Sequence, residues 1–258
     1  MNNHEIDYKL FGEEMQCVEI ELDPKEAVIA EPGSFMMMTD GIQMQTLFGD
    51  GNNTGFMSKL FTAGKRLLTG ENLFMTVYTN NSNQKRQVTF AAPYAGKIIP
   101  MNLAQLGNKI ICQKNSFLCA ANGVSIGIEF QKKLGTGLFG GEGFIMQKLE
   151  GDGMAFVHSG GHVIEKQLQA GEILKVDTGC IVAFTSNVNY DIQFVGGIKN
   201  TLFGGEGVFY ASLQGPGKVW IQTLPISRLA SRILSYGTGS RKEEGSILGG
   251  LGNLLDGD

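Results

Sequence analysis

One hexapeptide, Leu-Phe-Gly-Gly-Glu-Gly, occurs twice in this chain, at 138–143 and again at 202–207. The copies are 64 residues apart, and the residues after them match at the same spacing, so that Phe156 aligns with Trp220. A shortened third copy, Gly-Glu-Asn-Leu-Phe, begins at Gly70. A motif that returns at a fixed spacing is typical of folds in which one supersecondary unit is repeated along the chain.

A second pattern occurs three times and has the spacing of a strand, a turn and another strand. Segments 22–35 and 168–181 share apolar, glutamate and glycine positions, and 110–117 fits the same template. Length differences between the copies coincide with polar loops at 50–59 and 80–86, as expected if strands are the repeated unit. Glycine or asparagine occupies one equivalent position, which predicts a turn of positive φ before a strand. These residues are Gly33, Asn115 and Gly179.

The predicted secondary structure is β up to Pro225. Residues 15–22, for example, alternate between apolar and polar side chains, which is the period of a half-buried strand. From Pro225 to Tyr236 apolar residues return at helical spacing, and Gly237 predicts the end of this helix. Residues 237–258 predict a flexible tail, or alternatively an apolar peptide that docks on a partner or a neighbouring subunit.

These patterns predict an all-β fold of three internal repeats with one C-terminal helix. We expect residues 1–236 to form a single compact domain, with repeats at about 5–100, 101–167 and 168–236. One repeat has too few strands to be stable alone, so the three are expected to share a core. Closing the edges of such sheets favours a homo-oligomer, with a trimer as the expected form.

The charge balance argues against nucleic-acid binding. The chain has 21 basic and 25 acidic residues, a net charge of −4, whereas electrostatic binding of DNA or RNA needs a concentrated basic face. The N-terminus lacks a signal-peptide pattern, and no apolar run approaches the ~20 residues of a membrane span. We therefore expect a cytoplasmic protein without an integral membrane segment. Its four cysteines predict buried, reduced thiols: Cys17, Cys112, Cys119 and Cys180.

Two local patterns resemble ligand sites but have simpler interpretations. The methionine-rich strand around Met36, Met37 and Met38 offers soft sulfur atoms to a metal, yet pliable packing in a core or an interface is favoured. The polar glycine loop at 49–55 lacks the Gly-Lys-Ser/Thr ending of a phosphate loop. Neither pattern therefore predicts a cofactor.

His158 and His162 are weak metal candidates, separated by Ser-Gly-Gly. The favoured interpretation is that they mark two strand ends across a tight hairpin. A metal site needs further ligands on neighbouring strands, and the sequence assigns none. Ser159 lies beside His158, but adjacency in sequence is not the geometry of a catalytic triad. We therefore predict no metal site and no catalytic residue.

A glycine–glutamate pair marks each copy of the hexapeptide. One interpretation is a carboxylate cluster around a pseudo-threefold axis. The favoured one is that each carboxylate accepts N–H bonds from the glycine turn around it, which keeps the glutamate ionised. A loop built once per repeat indicates a turn of the scaffold rather than an active site. These repeat turns are Gly70, Glu71, Gly141, Glu142, Gly205 and Glu206.

The combined motifs resemble the altered-inheritance-of-mitochondria family, known in bacteria as a domain of unknown function and classed as similar to the tryptophan RNA-binding attenuator protein. The resemblance rests on the template at 22–34, Gly-Glu-x-Leu-Phe at 70–74, Ala-Pro-x2-Gly-x-Ile at 92–98, the doubled hexapeptide and the run at 176–184. It covers about residues 5–235. It implies β-sandwich or double-stranded β-helix-like repeats and a trimer of pseudo-sixfold or ninefold appearance. Eukaryotic members support organisation of the mitochondrial inner membrane, and no catalytic residues carry over.

The sequence thus predicts an uncharacterised, non-enzymatic oligomeric scaffold or binding protein, which binds copies of itself and an unknown protein partner. The alternative is binding of an amino acid, a nucleotide or single-stranded RNA in clefts between repeats or subunits. This alternative rests on analogy with the attenuator-like fold. A third hypothesis is an enzyme that uses the repeated glutamates or the histidines.

Overall fold

The computed structural model describes residues 5–48, 68–69, 74–132, 144–195 and 208–239. These residues are mostly β-strand, with one C-terminal α-helix. Strands β1 to β8 are Asp7–Phe11, Cys17–Leu22, Ala27–Ala30, Phe35–Met38, Ile42–Phe48, Leu68–Thr69, Phe74–Asn80 and Arg86–Ala91. Strands β9 to β14 are Gly96–Asn102, Lys109–Gln113, Phe117–Ala121, Ser125–Lys132, Phe144–Glu150 and Met154–Gly160. Strands β15 to β20 are Val163–Leu168, Ile173–Asp177, Ile181–Thr185, Asn189–Val195, Val208–Gln214 and Gly217–Gln222, and helix α1 is Ile226–Gly239.

The described strands form four sheets. Their strand orders are β1-β2-β8-β4, β5-β7-β3-β11-β14-β9, β15-β20-β17-β10-β13-β12-β6 and β16-β19-β18. Every pair of neighbouring strands in them is antiparallel except β6 and β12.

The same order of three strands occurs three times in each of two groups. One group contains β2-β8-β4, β9-β14-β11 and β15-β20-β17, and the other contains β3-β7-β5, β10-β13-β12 and β16-β19-β18. We call the two sets from one stretch of chain a unit. Within the first unit, the ring of Tyr78 on β7 lies 5.5 Å from Phe35 on β4 and 5.1 Å from Phe90 on β8. Aromatic side chains thus join the two layers of the unit as a sandwich.

Among the described strands, two antiparallel pairs join the three units, and β6 of the first stretch of chain also pairs in parallel with β12 of the second. Pairing of β3 with β11 continues one sheet from the first unit into the second, and pairing of β10 with β17 continues another into the third. Buried apolar clusters cross the unit boundaries in the same way, and Trp220 of the third unit belongs to the cluster that fills the first two. The predicted divisions at 100/101 and 167/168 fall inside β9 and β15. Since β9 pairs with β14 and β15 with β20, the strand order divides the chain a few residues earlier.

A left-handed turn precedes the equivalent strands β3, β10 and β16. The φ angles are +75° at Lys25, +81° at Gly107 and +80° at Gly171. In the first and third units a glutamate completes this turn, because the Asp23 N–H donates to Glu26 Oε2 and the Gln169 N–H donates to the equivalent Glu172 Oε2, each at 2.8 Å. Such bonds satisfy backbone donors that no strand partner reaches.

The predicted positive φ occurs at Gly33, at +88°, but not at Asn115 or Gly179. For these two residues the prediction was wrong. They lie in 3₁₀ turns at Lys114–Ser116 and Thr178–Cys180, whose backbone is right-handed. Position 179 favours glycine for another reason, which is the lack of space for a side chain. A Cβ there would lie 3.2 Å from Asp177 Oδ1 and 3.3 Å from Pro225 Cβ.

Helix α1 begins directly after Pro225, as predicted, and continues two residues past Gly237. Its Arg228 Nη2 lies 3.5 Å from Asp177 Oδ2, which ties the first turn of the helix to the end of β16. Further along the helix, Ile233, Leu234 and Tyr236 are exposed. Within the described ranges, the structure has no helix of the length and apolar character that a membrane span requires.

Candidate functional site

The glycine–glutamate turns of the repeated hexapeptides fall outside the described residues, so their roles stay predictions. These residues are Gly70, Glu71, Gly141, Glu142, Gly205 and Glu206. The glycine loop at 49–55 and residues 240–258 of the tail lie outside as well.

His158 is buried on β14 with its ring edge against Tyr94, at 4.4 Å between ring centroids. Its Nε2 lies 3.1 Å from the Tyr94 carbonyl oxygen. Because a carbonyl only accepts hydrogen bonds, Nε2 must carry the proton. Nδ1 is buried and has no hydrogen-bond partner among the described residues. Burial lowers the pKa of His158 to about 4, so the ring is neutral at pH 7.

His162 does not join His158 in a site, because one ring is buried and the other residue is exposed. The predicted hairpin between them is wrong. Strand β14 pairs with β9 and β11, whereas β15 pairs with β20 in a different sheet, so the intervening residues form a corner between sheets. Gln222 Oε1 accepts the Gly160 N–H at 2.7 Å and fixes this corner. Within the described ranges, no three His, Cys, Asp or Glu side chains are grouped to hold a metal.

The cysteines are free thiols, of which Cys112 and Cys119 are buried as predicted. Burial raises the pKa of both thiols, which keeps them protonated and poorly nucleophilic. Cys17 and Cys180 are only half-buried, so for these two residues the prediction of buried thiols was wrong. Both cysteines have apolar neighbours in the sequence, but such neighbours do not reveal how exposed the end of a strand is to solvent.

The exposed apolar surface on β4 is the strongest candidate for a functional site. Phe35, Met36, Met37 and Met38 are 37%, 54%, 51% and 38% exposed. Strand β4 is the edge of its sheet, where its only described partner is β8. An apolar edge strand presents both side chains and unpaired backbone groups to another chain.

The methionines are evident in the sequence, but their position at a sheet edge is not. The signal that was missed is the lack of alternation, since four consecutive apolar residues are typical of a strand covered on both faces. The strands β11 and β17 also begin with four apolar residues and are covered in this way. Strand β4 has the same pattern without the same cover, which indicates an interface rather than a core.

Fold and site together define a mostly β protein in which, among the described strands, the apolar strand β4 is paired on one side only. The chain belongs to the mitochondrial biogenesis AIM24 family, whose model it matches over residues 8–224. The family predicted from the sequence is therefore confirmed.

Two bacterial proteins illustrate the similarity. An uncharacterised protein of Streptococcus pyogenes serotype M6 is 26% identical over 221 residues, which cover 85% of this chain and 86% of that protein. A crystal structure of a Streptococcus pyogenes protein, from a structural genomics consortium, is similar with a TM-score of 0.69 at 22% identity. The alignment covers 90% of this chain and 100% of that one, and at this identity it bears on the fold alone.

Proposed function

We propose that the protein is a non-enzymatic, homo-oligomeric scaffold or binding protein of the cytoplasm, with a trimer as its assembly. The observation that carries the proposal is the exposed apolar strand Phe35–Met38 at a sheet edge. Such an edge exposed on a monomer is a hazard for aggregation, and pairing with another copy removes the hazard. The threefold strand order supports the finer assignment of attenuator-like repeats.

The mass in solution tests this proposal. A trimer has a mass of about 84 kDa, three times the chain mass of 27.9 kDa. Met37→Lys places a charge on the edge strand and is expected to yield monomers in light scattering behind a sizing column. The matched control is Ile164→Lys, since Ile164 is similarly exposed on β15, the edge of another sheet. Wild-type protein that elutes as a monomer at all concentrations contradicts the proposal.

A second candidate function is binding of a small polar ligand within the fold. It is favoured by Gln147 on β13, whose amide nitrogen and oxygen are both buried and have no hydrogen-bond partner among the described residues. Ligand pockets use a few such polar groups in apolar surroundings. A saturable rise in melting temperature with an amino acid or nucleotide, abolished in Gln147→Met, supports this function. A flat response to the whole ligand set argues against it.

A further inference from the structure

The chain contains two copies of one strand junction between units. At the first, β3 pairs antiparallel with β11 and places Ala30 opposite Cys119. At the second, β10 pairs antiparallel with β17 and places Cys112 opposite the equivalent Ala183. Both junctions therefore have the same register.

Strand β4 is the equivalent of β11 and β17 in the first unit. Each of the three pairs with the last strand of its unit, and each has a register shift one residue after its start. Bulges of this kind are conserved features of a strand position rather than defects. The bulged residues are Met36, Leu118 and Val182.

Strand β16 is the equivalent of β3 and β10 in the third unit. It follows the same left-handed turn, at Gly171, and pairs with β19 as β3 pairs with β7. Among the described strands, β4 and β16 are both edges of their sheets, so neither has a described partner on the side where its equivalents are paired.

Residues on the two edge strands can be compared with their equivalents at the internal junctions by their exposed fractions. Met36 is 54% exposed, whereas its equivalents Leu118 and Val182 are 1% and 0% exposed. On β16, Ile173 is 57% exposed, whereas its equivalents are the 3% exposed Ala27 and the half-buried Lys109. Strand β4 thus exposes the surface that a junction covers elsewhere in the same chain, whereas on β16 Ile173 is exposed and Val176 is buried.

We infer that β4 of one copy pairs antiparallel with β16 of the next copy, so that the internal junction is repeated between chains. This inference rests on the proposed homo-oligomer and names its interface. By equivalence with the two internal junctions, Met37 lies opposite Val176 and Met38 opposite Lys175. The contact is head-to-tail, because different surfaces meet, and such contacts close into rings when the rotation between copies allows.

Two residues adapt the junction to a contact between chains. Met37 stands where the internal junctions have Cys119 and Ala183, and its unbranched side chain can fill an irregular interface. Lys175 stands where they have Ile29 and Ile111. A lysine on an edge strand opposes indiscriminate pairing, while its aliphatic stem can still cover Met38.

The register predicts which cysteine pair will form a disulfide. The Glu31 N–H donates to the Leu118 carbonyl oxygen at 3.0 Å, so the neighbouring pair Ala30–Cys119 is not hydrogen-bonded. The equivalent positions 37 and 176 then form a non-hydrogen-bonded pair, whose short Cα separation of about 4.5 Å lies within the range that a disulfide spans. We would introduce Met37→Cys and Val176→Cys together, with Cys17→Ser and Cys180→Ser removing the accessible native thiols.

Mild oxidation of this variant is expected to give covalent oligomers up to the full assembly on a denaturing gel. Each single variant lacks one partner and should remain uncrosslinked. Met38→Cys with Val176→Cys is the matched control, since adjacent strand residues point to opposite faces and should crosslink at least about tenfold less. Light scattering of each reduced variant establishes that the assembly is intact before oxidation.

The possible failures are distinguishable. An intact oligomer without the 37–176 crosslink overturns the strand pairing and leaves the proposed scaffold standing. A reduced protein that is monomeric from the outset, in wild type and variants alike, overturns both. Loss of free thiols without any gain in mass places the disulfide within one chain and also overturns the pairing between copies.

Discussion

Replacing His158 tests the buried neutral imidazole through the pH dependence of stability. Burial lowers its pKa from 6.5 to about 4 in the folded state. Between these values the unfolded chain binds the proton that the folded protein excludes, so stability falls as pH falls. The slope is about 1.4 kcal/mol per pH unit, and the full loss from above pH 6.5 to below pH 4 is about 3 kcal/mol.

Urea unfolding at several values between pH 5 and 7 measures this slope. His158→Leu is expected to remove most of this pH dependence, because leucine cannot bind a proton and its side chain suits the apolar site. Glu165 does not obscure the window, since its hydrogen bond from Lys218 holds the pKa of that carboxyl below its usual range. His162→Gln is the control, because it removes the exposed histidine of the same corner and leaves His158 in place. Equal slopes in wild type and His158→Leu would refute the buried-histidine account.

Two further substitutions test the packing. Gln147→Met removes a buried amide that has no hydrogen-bond partner among the described residues, and it is expected to stabilise the fold by about 1–3 kcal/mol in urea unfolding. A loss of stability would show that the amide is satisfied. Gly160→Ala drives a Cβ into the Leu224 carbonyl oxygen, whereas Gly33→Ala meets nothing and strains only the backbone. Thermal unfolding should show a cost of about 1–3 kcal/mol more for the first than for the second, and equal costs would contradict the close packing at this corner.

Local sequence could predict that the chain is mostly β-strand and where its helix begins. Alternation at 15–22 reports one buried face, and Pro225 fixes where helix α1 begins. Both signals are contained in a few neighbouring residues, so no distant contact is needed to interpret them.

The predictions were wrong where contacts between residues distant in sequence determine the structure. Ser-Gly-Gly after His158 suits a hairpin or a corner equally well, and the bond from the Gly160 N–H to Gln222 selects the corner. The left-handed turn that all units share lies, in the first unit, eight residues before Gly33, at Lys25. Because the residue there is not a glycine, the sequence does not indicate a positive φ.

The candidate interface on β4 could not be predicted from the sequence for a related reason. Composition identifies the methionines of β4, but only the sheet order shows that β4 lacks a second neighbour. Its exposure becomes informative when it is compared with that of β11 and β17, which needs the strand equivalences as well as the sequence repeat.

Hydrogen exchange at Met38 and Lys175 tests the central claim, that the chain assembles through the edges β4 and β16, most directly. The Thr39 N–H donates to Gln87 on β8, so the amide of the adjacent Met38 points to the open side of β4. At concentrations where the protein is oligomeric, both amides are predicted to be protected like Ala120 and Ile29 at the internal junction. Exchange of both at the rate of unpaired amides in the intact oligomer would contradict the account.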